Sequence, residues 1–371
     1  VAHIVASGLP VTVWCTVAAR RSLGALVGSA ATGLLTVALI LSRSRAAWLA
    51  SIVFVAISII LLLASRRYWR GGVVGGRLAR VLLAIATGGL VAVALPNQLD
   101  WNSDSPYLDS AKKVVDYSSG SGRGRIAQYQ NSLKMSLSDP IFGTGPGNWP
   151  VRYPKFAPGG DKSLVSSGMT ANPWPSSDWV AFVSERGIIA TLALAGMFAA
   201  IFFRALRGWK EHDSGETVLM NIAVAGTVVC VIVVSAFDAV LLLPAPAFLA
   251  WMILGAGSGP RRGGRPVDLS SKSWSLGAMA LVLACAVGVA RSSAEVKAMW
   301  EVGTGAHRAG WVSGARWDPG SYRINQRVAE LYASRGDCAR SKVYARRALG
   351  LFPYSPQARR TARRCGVKTG K

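Results

Sequence analysis

Long apolar blocks alternate along this chain with short polar turns, most of them basic. The blocks fall at about 2–19, 22–41, 47–65, 78–96, 179–203, 217–236, 239–256 and 274–290, each near the ~20 residues that an α-helix needs to cross a bilayer. The pattern breaks twice, at a polar stretch over 97–178 and at a basic tail over 291–371. It predicts an all-α fold, a polytopic transmembrane helical bundle of about eight spans. Its expected parts are N-terminal transmembrane helices (1–96), a large loop (97–178), C-terminal transmembrane helices (179–290) and a small helical domain (291–371).

Composition agrees with the pattern. The chain is 51% hydrophobic and only 16% charged, too little polar surface for a soluble domain of this size, so apolar residues must face lipid. A net charge of +24 would suggest nucleic acid in a soluble protein, but here much of the excess lies between spans. Arg20-Arg21, the stretch Arg66 to Arg80, Arg204 to His212 and Arg261 to Lys272 all fall on one side, which the positive-inside rule makes cytoplasmic. The loop and the tail are then extracytoplasmic, and no nucleic-acid partner is expected. Val1 is followed at once by an apolar block, which leaves open whether further helices precede it. Of the five cysteines, Cys15, Cys230 and Cys285 fall inside predicted spans, which leaves Cys338 and Cys365 able to pair. No cysteine-rich metal framework is visible.

One basic cluster runs against the rule. Ser42-Arg43-Ser44-Arg45 stands between the second and third blocks, on the external side. Either two long side chains snorkel to the interface, or their planar forks form a site for phosphate-like anions. The loop also looks folded, because it holds Trp101, Tyr107, Tyr117, Tyr129, Trp149, Tyr153, Phe156 and Trp174, too many aromatics for a solvated linker. Within it, Ile126, Tyr129, Leu133 and Leu137 recur at helical spacing over Arg125 to Leu137, and Asp139-Pro140 ends that helix. A glycine-rich turn follows, Gly143-Thr144-Gly145-Pro146-Gly147-Asn148-Trp149. Such a turn can cradle phosphate or can simply seat Trp149.

Three stretches resemble the bacterial O-antigen ligase and O-antigen polymerase superfamily, whose shared region is often called the Wzy-C domain. The first is Ser44-Arg45-Ala46-Ala47-Trp48. The second is Arg125, Tyr129 and then Asp139-Pro140-Ile141-Phe142-Gly143-Thr144-Gly145. The third is Ser177-Asp178-Trp179 followed by Ser184-Glu185-Arg186-Gly187. The resemblance covers about residues 1–205.

It implies a metal-independent glycosyltransferase, without cofactor, in the bacterial cytoplasmic membrane. The donor would be an oligosaccharide on undecaprenyl pyrophosphate, and the acceptor a glycan, a lipid or a protein. Carried over, Arg45 and Arg125 match arginines that hold the donor pyrophosphate, with Arg43 beside them. Asp139, Gly143, Gly145, Gly147, Asn148 and Trp149 supply the loop motif. Ligases of the family also place a histidine near the position of Ser176, whereas His3, His212 and His307 all lie elsewhere in this chain. Asp178 and then Glu185 become the candidate general bases. Asp178 can equally cap the following helix, and Glu185 can equally pair with Arg186.

The tail places Ala329, Tyr332, Gly336, Ala339, Tyr344, Ala345, Ala348, Leu349 and Pro353 much as a tetratricopeptide helix pair does, a unit that commonly binds proteins. Its arginine pairs could meet anionic headgroups of the membrane lipid or acidic glycan. Two other classes stay open: a polysaccharide transporter or flippase, for which Asp238 at a span junction is the main sign, and a non-enzymatic membrane scaffold. A scaffold would have no need of Arg45 and Arg125.

Overall fold

The computed structural model describes residues 2–19, 21–65, 73–94, 107, 120–165, 168–208, 215–257, 272–304 and 308–368. The basic stretches at 66–72 and 261–271, the early loop other than Tyr107, and His212 and His307 lie outside the described residues. Those described are helical apart from turns, one short 3-10 turn and an isolated bridge between Leu164 and Thr170. In chain order the helices are α1 (Ala2–Ala18), α2 (Ser22–Leu41), α3 (Arg45–Ala64), α4 (Val73–Ala94), α5 (Gly120–Ser136), α6 (Trp149–Arg152), α7 (Asp178–Arg207), α8 (Gly215–Phe237), α9 (Pro244–Gly257) and α10 (Lys272–Thr304). Four more follow: α11 (Arg308–Trp317), α12 (Tyr322–Ala333), α13 (Cys338–Leu351) and α14 (Pro356–Arg364). Six of the helices, α2, α3, α4, α7, α8 and α10, are long and apolar enough to cross a membrane, while α1 and α9 are apolar but shorter. This is a multi-pass membrane protein.

The chain divides into two compact units, Val1–Trp149 with Asn172–Pro260, and Pro150–Ala171 with Arg261–Lys371. In the first, α8 is the central helix, with 78% of its span buried, whereas α2, α3, α4 and α7 turn most of their surface outward. Without a hydrophobic drive between helices in lipid, close approach depends on small residues. A Cβ on Gly88 of α4 would come within 2.5 Å of the Gly33 carbonyl of α2, and one on Gly226 of α8 within 2.5 Å of the Phe54 ring of α3. At one end of the bundle, Val5 and Ala6 of α1, Leu39 of α2, Ala46 and Ala47 of α3 and Val234 of α8 share one core with Val240. The start of α1, the α2–α3 turn, the start of α3 and the end of α8 therefore meet there.

In the second unit, α10 does not stop where its apolar block ends. Beyond Ala290 come Arg291, Glu295, Lys297 and Glu301, and the helix runs on through them to Thr304, because charged residues with long side chains are good helix formers. Helix α11 folds back along this extension. A Cβ on Gly314 would stand 3.1 Å from the Ala298 carbonyl, and Arg291 bonds Asp318 at 2.8 Å. Ala298, Ala315, Ile324, Val328 and Tyr332 form the core beneath. Ser321, Asp337 and Ser355 each cap the next helix through a side-chain oxygen, as short helices require. A Cys338–Cys365 disulfide ties the start of α13 to the end of α14.

Candidate active site

The α2–α3 turn is built tightly. Ser44 caps α3 by accepting from the Ala47 amide, its own amide donates to Ser42 Oγ, and Trp48 Nε1 donates back to the Leu39 carbonyl at 2.9 Å. Between the two serines Arg43 takes φ 49°, a left-handed conformation uncommon in a residue with a side chain. The turn thus fixes the backbone beneath Arg43 and Arg45.

Helix α5 begins at Gly120, upstream of the predicted start at Arg125, and it anchors the entry to α7. Gln128 Oε1 accepts from the Ser176 amide at 2.7 Å. The Tyr129 hydroxyl lies 2.6 Å from the Ser176 carbonyl and 3.3 Å from the Ala236 carbonyl at the end of α8. Ser177 caps α7 and also donates to the Ser235 carbonyl. Next to it, Asp178 is fully buried. Its carboxylate accepts from the amides of Val240 and Leu241 at 2.8 Å each and of Leu242 at 3.3 Å, so it organises the turn between α8 and α9 as well as opening α7.

The glycine-rich turn and the Glu185-Arg186-Gly187 stretch form one device. Gly187 takes φ 77° and ψ 178°, which breaks α7. In an unbroken helix the Ser184 and Glu185 carbonyls would accept from residues 188 and 189. Instead, Ser184 O accepts from the Thr144 amide at 3.0 Å, Glu185 O from the Gly145 amide at 2.9 Å, and the Ile188 amide turns to the Pro140 carbonyl at 2.9 Å. A side chain at Gly143 would strike the Glu185 backbone, and one at Gly187 the Ile141 carbonyl. The Glu185 carboxylate accepts from the Trp149 amide at 2.9 Å and meets Arg186 at 3.4 Å, while Arg186 stacks over the Phe182 ring. Trp149 is buried and donates its Nε1 to Ser132 Oγ of α5. Gly143 donates to the Asp139 carbonyl and Asn148 to that of Gly145. With these amides engaged inside the protein, the turn's geometry is that of a seat for Trp149 and a splint for α7.

Sequence reasoning missed one pair. His3 on the first turn of α1 and Asp238 just past α8 stand 235 positions apart, with His3 Nε2 2.9 Å from Asp238 Oδ2. Asp238 Oδ1 accepts from the Ala239 amide. Burial pushes the Asp238 carboxyl up, but the His3 bond and charge, the Ala239 amide and the charge of Arg125 together hold it below the ordinary carboxylate value. The available signal was an ionisable residue at each of two span ends, which in a membrane protein calls for a named partner.

At this end of the bundle the fold gathers the start of α3 with Arg45, the turn with Arg43, Arg125 of α5, and the His3–Asp238 pair. Asp178 and Glu185 have their carboxylates committed to backbone amides. Residues 30–195 match the sequence model of the family described as O-antigen ligase. A comparison with curated proteins finds no match. The matched stretch takes in the α2–α3 turn, α5, the glycine-rich turn and the break in α7, so this part of the chain is similar to the O-antigen ligase family.

Proposed function

We propose that this protein transfers an oligosaccharide from an undecaprenyl-pyrophosphate carrier to a glycan, lipid or protein acceptor on the outer face of the cytoplasmic membrane. The observation that supports the reading is that α3 opens with Arg45 at the end of the bundle where the charge of Arg125 acts on Asp238, just after the left-handed turn at Arg43. When the glycosidic bond to pyrophosphate breaks, negative charge grows on the departing phosphate. Guanidinium groups fixed in place stabilise that charge without reorganising.

The placement outside the cytoplasm rests on two arguments. Arg21, Arg77, Arg204 and Arg207 lie toward the opposite helix ends, and Arg77 is anchored there on the Val17 carbonyl; basic residues favour the cytoplasmic side. The Cys338–Cys365 bond suits an oxidising compartment, as disulfides persist outside the cytoplasm.

The test is a glycan gel with a lipid-carrier assay on cells depleted of the native protein and complemented at matched membrane abundance. Arg45→Ala and Arg125→Ala are each expected to lose glycan chains and accumulate lipid-pyrophosphate-linked units. Unchanged glycan in both variants would remove the donor-site reading and leave the scaffold reading.

A further inference from the structure

We propose that Asp238, oriented by His3, accepts the proton of the incoming acceptor hydroxyl. The assignment rests on the transferase reading above and adds the base that the arginines cannot supply.

The carboxylates of this unit differ in how open they are. Asp178 is fully buried and takes three amides, and Glu185 is 3% exposed and takes one amide plus Arg186. Asp139 sits in the exposed turn that follows α5. Asp238 differs from all of these. Its side chain is 36% exposed while that of His3 is 14% exposed, so the carboxylate can meet a substrate while the imidazole behind it holds its direction. Each Asp238 oxygen receives one donor, His3 Nε2 on Oδ2 and the Ala239 amide on Oδ1, and a carboxylate has about four acceptor sites. Room remains for a hydroxyl.

The surroundings suit an ionised carboxylate. From α5 the charge of Arg125 acts on Asp238, and from α7 Asp178 faces His3. Arg43 and Arg45 stand at the same end, above the Ala46–Ala47 core. Tyr129 ties down the chain just before the pair, since its hydroxyl reaches both the Ser176 carbonyl and that of Ala236, two residues before Asp238.

The step balances. The acceptor O–H bond breaks and its proton passes to the Asp238 carboxylate. The freed electron pair forms the bond from oxygen to the anomeric carbon. The bond from that carbon to the pyrophosphate oxygen breaks, and its electron pair leaves with the carrier pyrophosphate, whose charge Arg45 and Arg125 meet. Asp238 then returns the proton to water at its exposed face.

The experiment uses the full chain in membranes, with undecaprenyl-pyrophosphate-linked oligosaccharide extracted from depleted cells as donor. It reads transfer rate against pH and, separately, donor retention. Asp238→Asn keeps an acceptor for Ala239 and is expected to lose roughly 100-fold or more in kcat while retaining donor. His3→Ala is expected to move the acidic limb of kcat/KM to higher pH, because the bond that stabilised the charged carboxylate is gone. His3→Gln, which can still donate to Asp238, is expected to recover part of that shift. Matched melting curves separate these effects from misfolding. Wild-type-like kcat in Asp238→Asn, or an unmoved acidic limb in His3→Ala, would overturn the assignment alone. Absence of transfer by the wild-type protein would overturn the transferase reading and this assignment with it.

Discussion

Trp149 donates its backbone amide to Glu185 Oε1 at 2.9 Å across 36 positions of sequence, and this bond joins the glycine-rich turn to the first third of a spanning helix. Glu185→Ala would strand a buried amide and release Arg186. Leaving such a donor unsatisfied costs about 1–3 kcal/mol, so the melting temperature in detergent is expected to fall clearly. Glu185→Gln keeps an acceptor and should lose less. Equal losses in the two variants would show that the bond contributes little.

Gly187→Ala faces a double penalty. Its φ of 77° disfavours any side chain, at about 1–3 kcal/mol for a strained backbone, and the added methyl would overlap the Ile141 carbonyl. The expected outcome is a sharp drop in membrane abundance, larger than that for Gly196→Ala, where a Cβ meets nothing within 4 Å in the same helix. Immunoblots of purified membranes give the comparison.

Asp178→Ala leaves the amides of Val240, Leu241 and Leu242 without their acceptor. About 1–3 kcal/mol for each stranded donor is enough to threaten a protein of ordinary stability. Asp178→Asn retains one carbonyl oxygen and should be the milder change. Hydrogen exchange at residues 240–242 reads the effect directly, with faster exchange expected in Asp178→Ala.

Reduction of the Cys338–Cys365 bond, which closes 27 positions of sequence, is expected to destabilise the C-terminal unit by about 3–4 kcal/mol on the chain-entropy account. In intact cells stripped of any outer barrier, a membrane-impermeant thiol reagent should label neither cysteine before reduction and both after it. Labelling of both without reductant would overturn the pairing.

Much of the fold was legible because membrane spans write themselves as apolar blocks, and each predicted block has a helix over it. The end of the eighth block was misleading, since hydropathy stops at Ala290 while helical propensity continues through Arg291 to Thr304. The Arg125, Tyr129 and Asp-Pro-Gly elements were readable as local motifs. Their purpose was not, because Thr144 and Gly145 serve carbonyls 40 residues away in α7, and such complementarity has no local signature. Asp178 showed its place at the start of α7, but Ser177 rather than Asp178 caps that helix, and the three amides that Asp178 gathers from beyond α8 had no local sign. The His3–Asp238 pair was the least visible, joining the first turn of the chain to a junction that local sequence connects to nothing else.

The splinted break in α7 also governs how this end of the molecule can move. Its missing turn is supplied by residues 140–145, so that segment cannot lift away as a flap without leaving the Ser184 and Glu185 carbonyls and the Ile188 amide without these partners, at a cost of about 1–3 kcal/mol for each buried group. Residues 140–145 and the broken stretch of α7 therefore move together as one body.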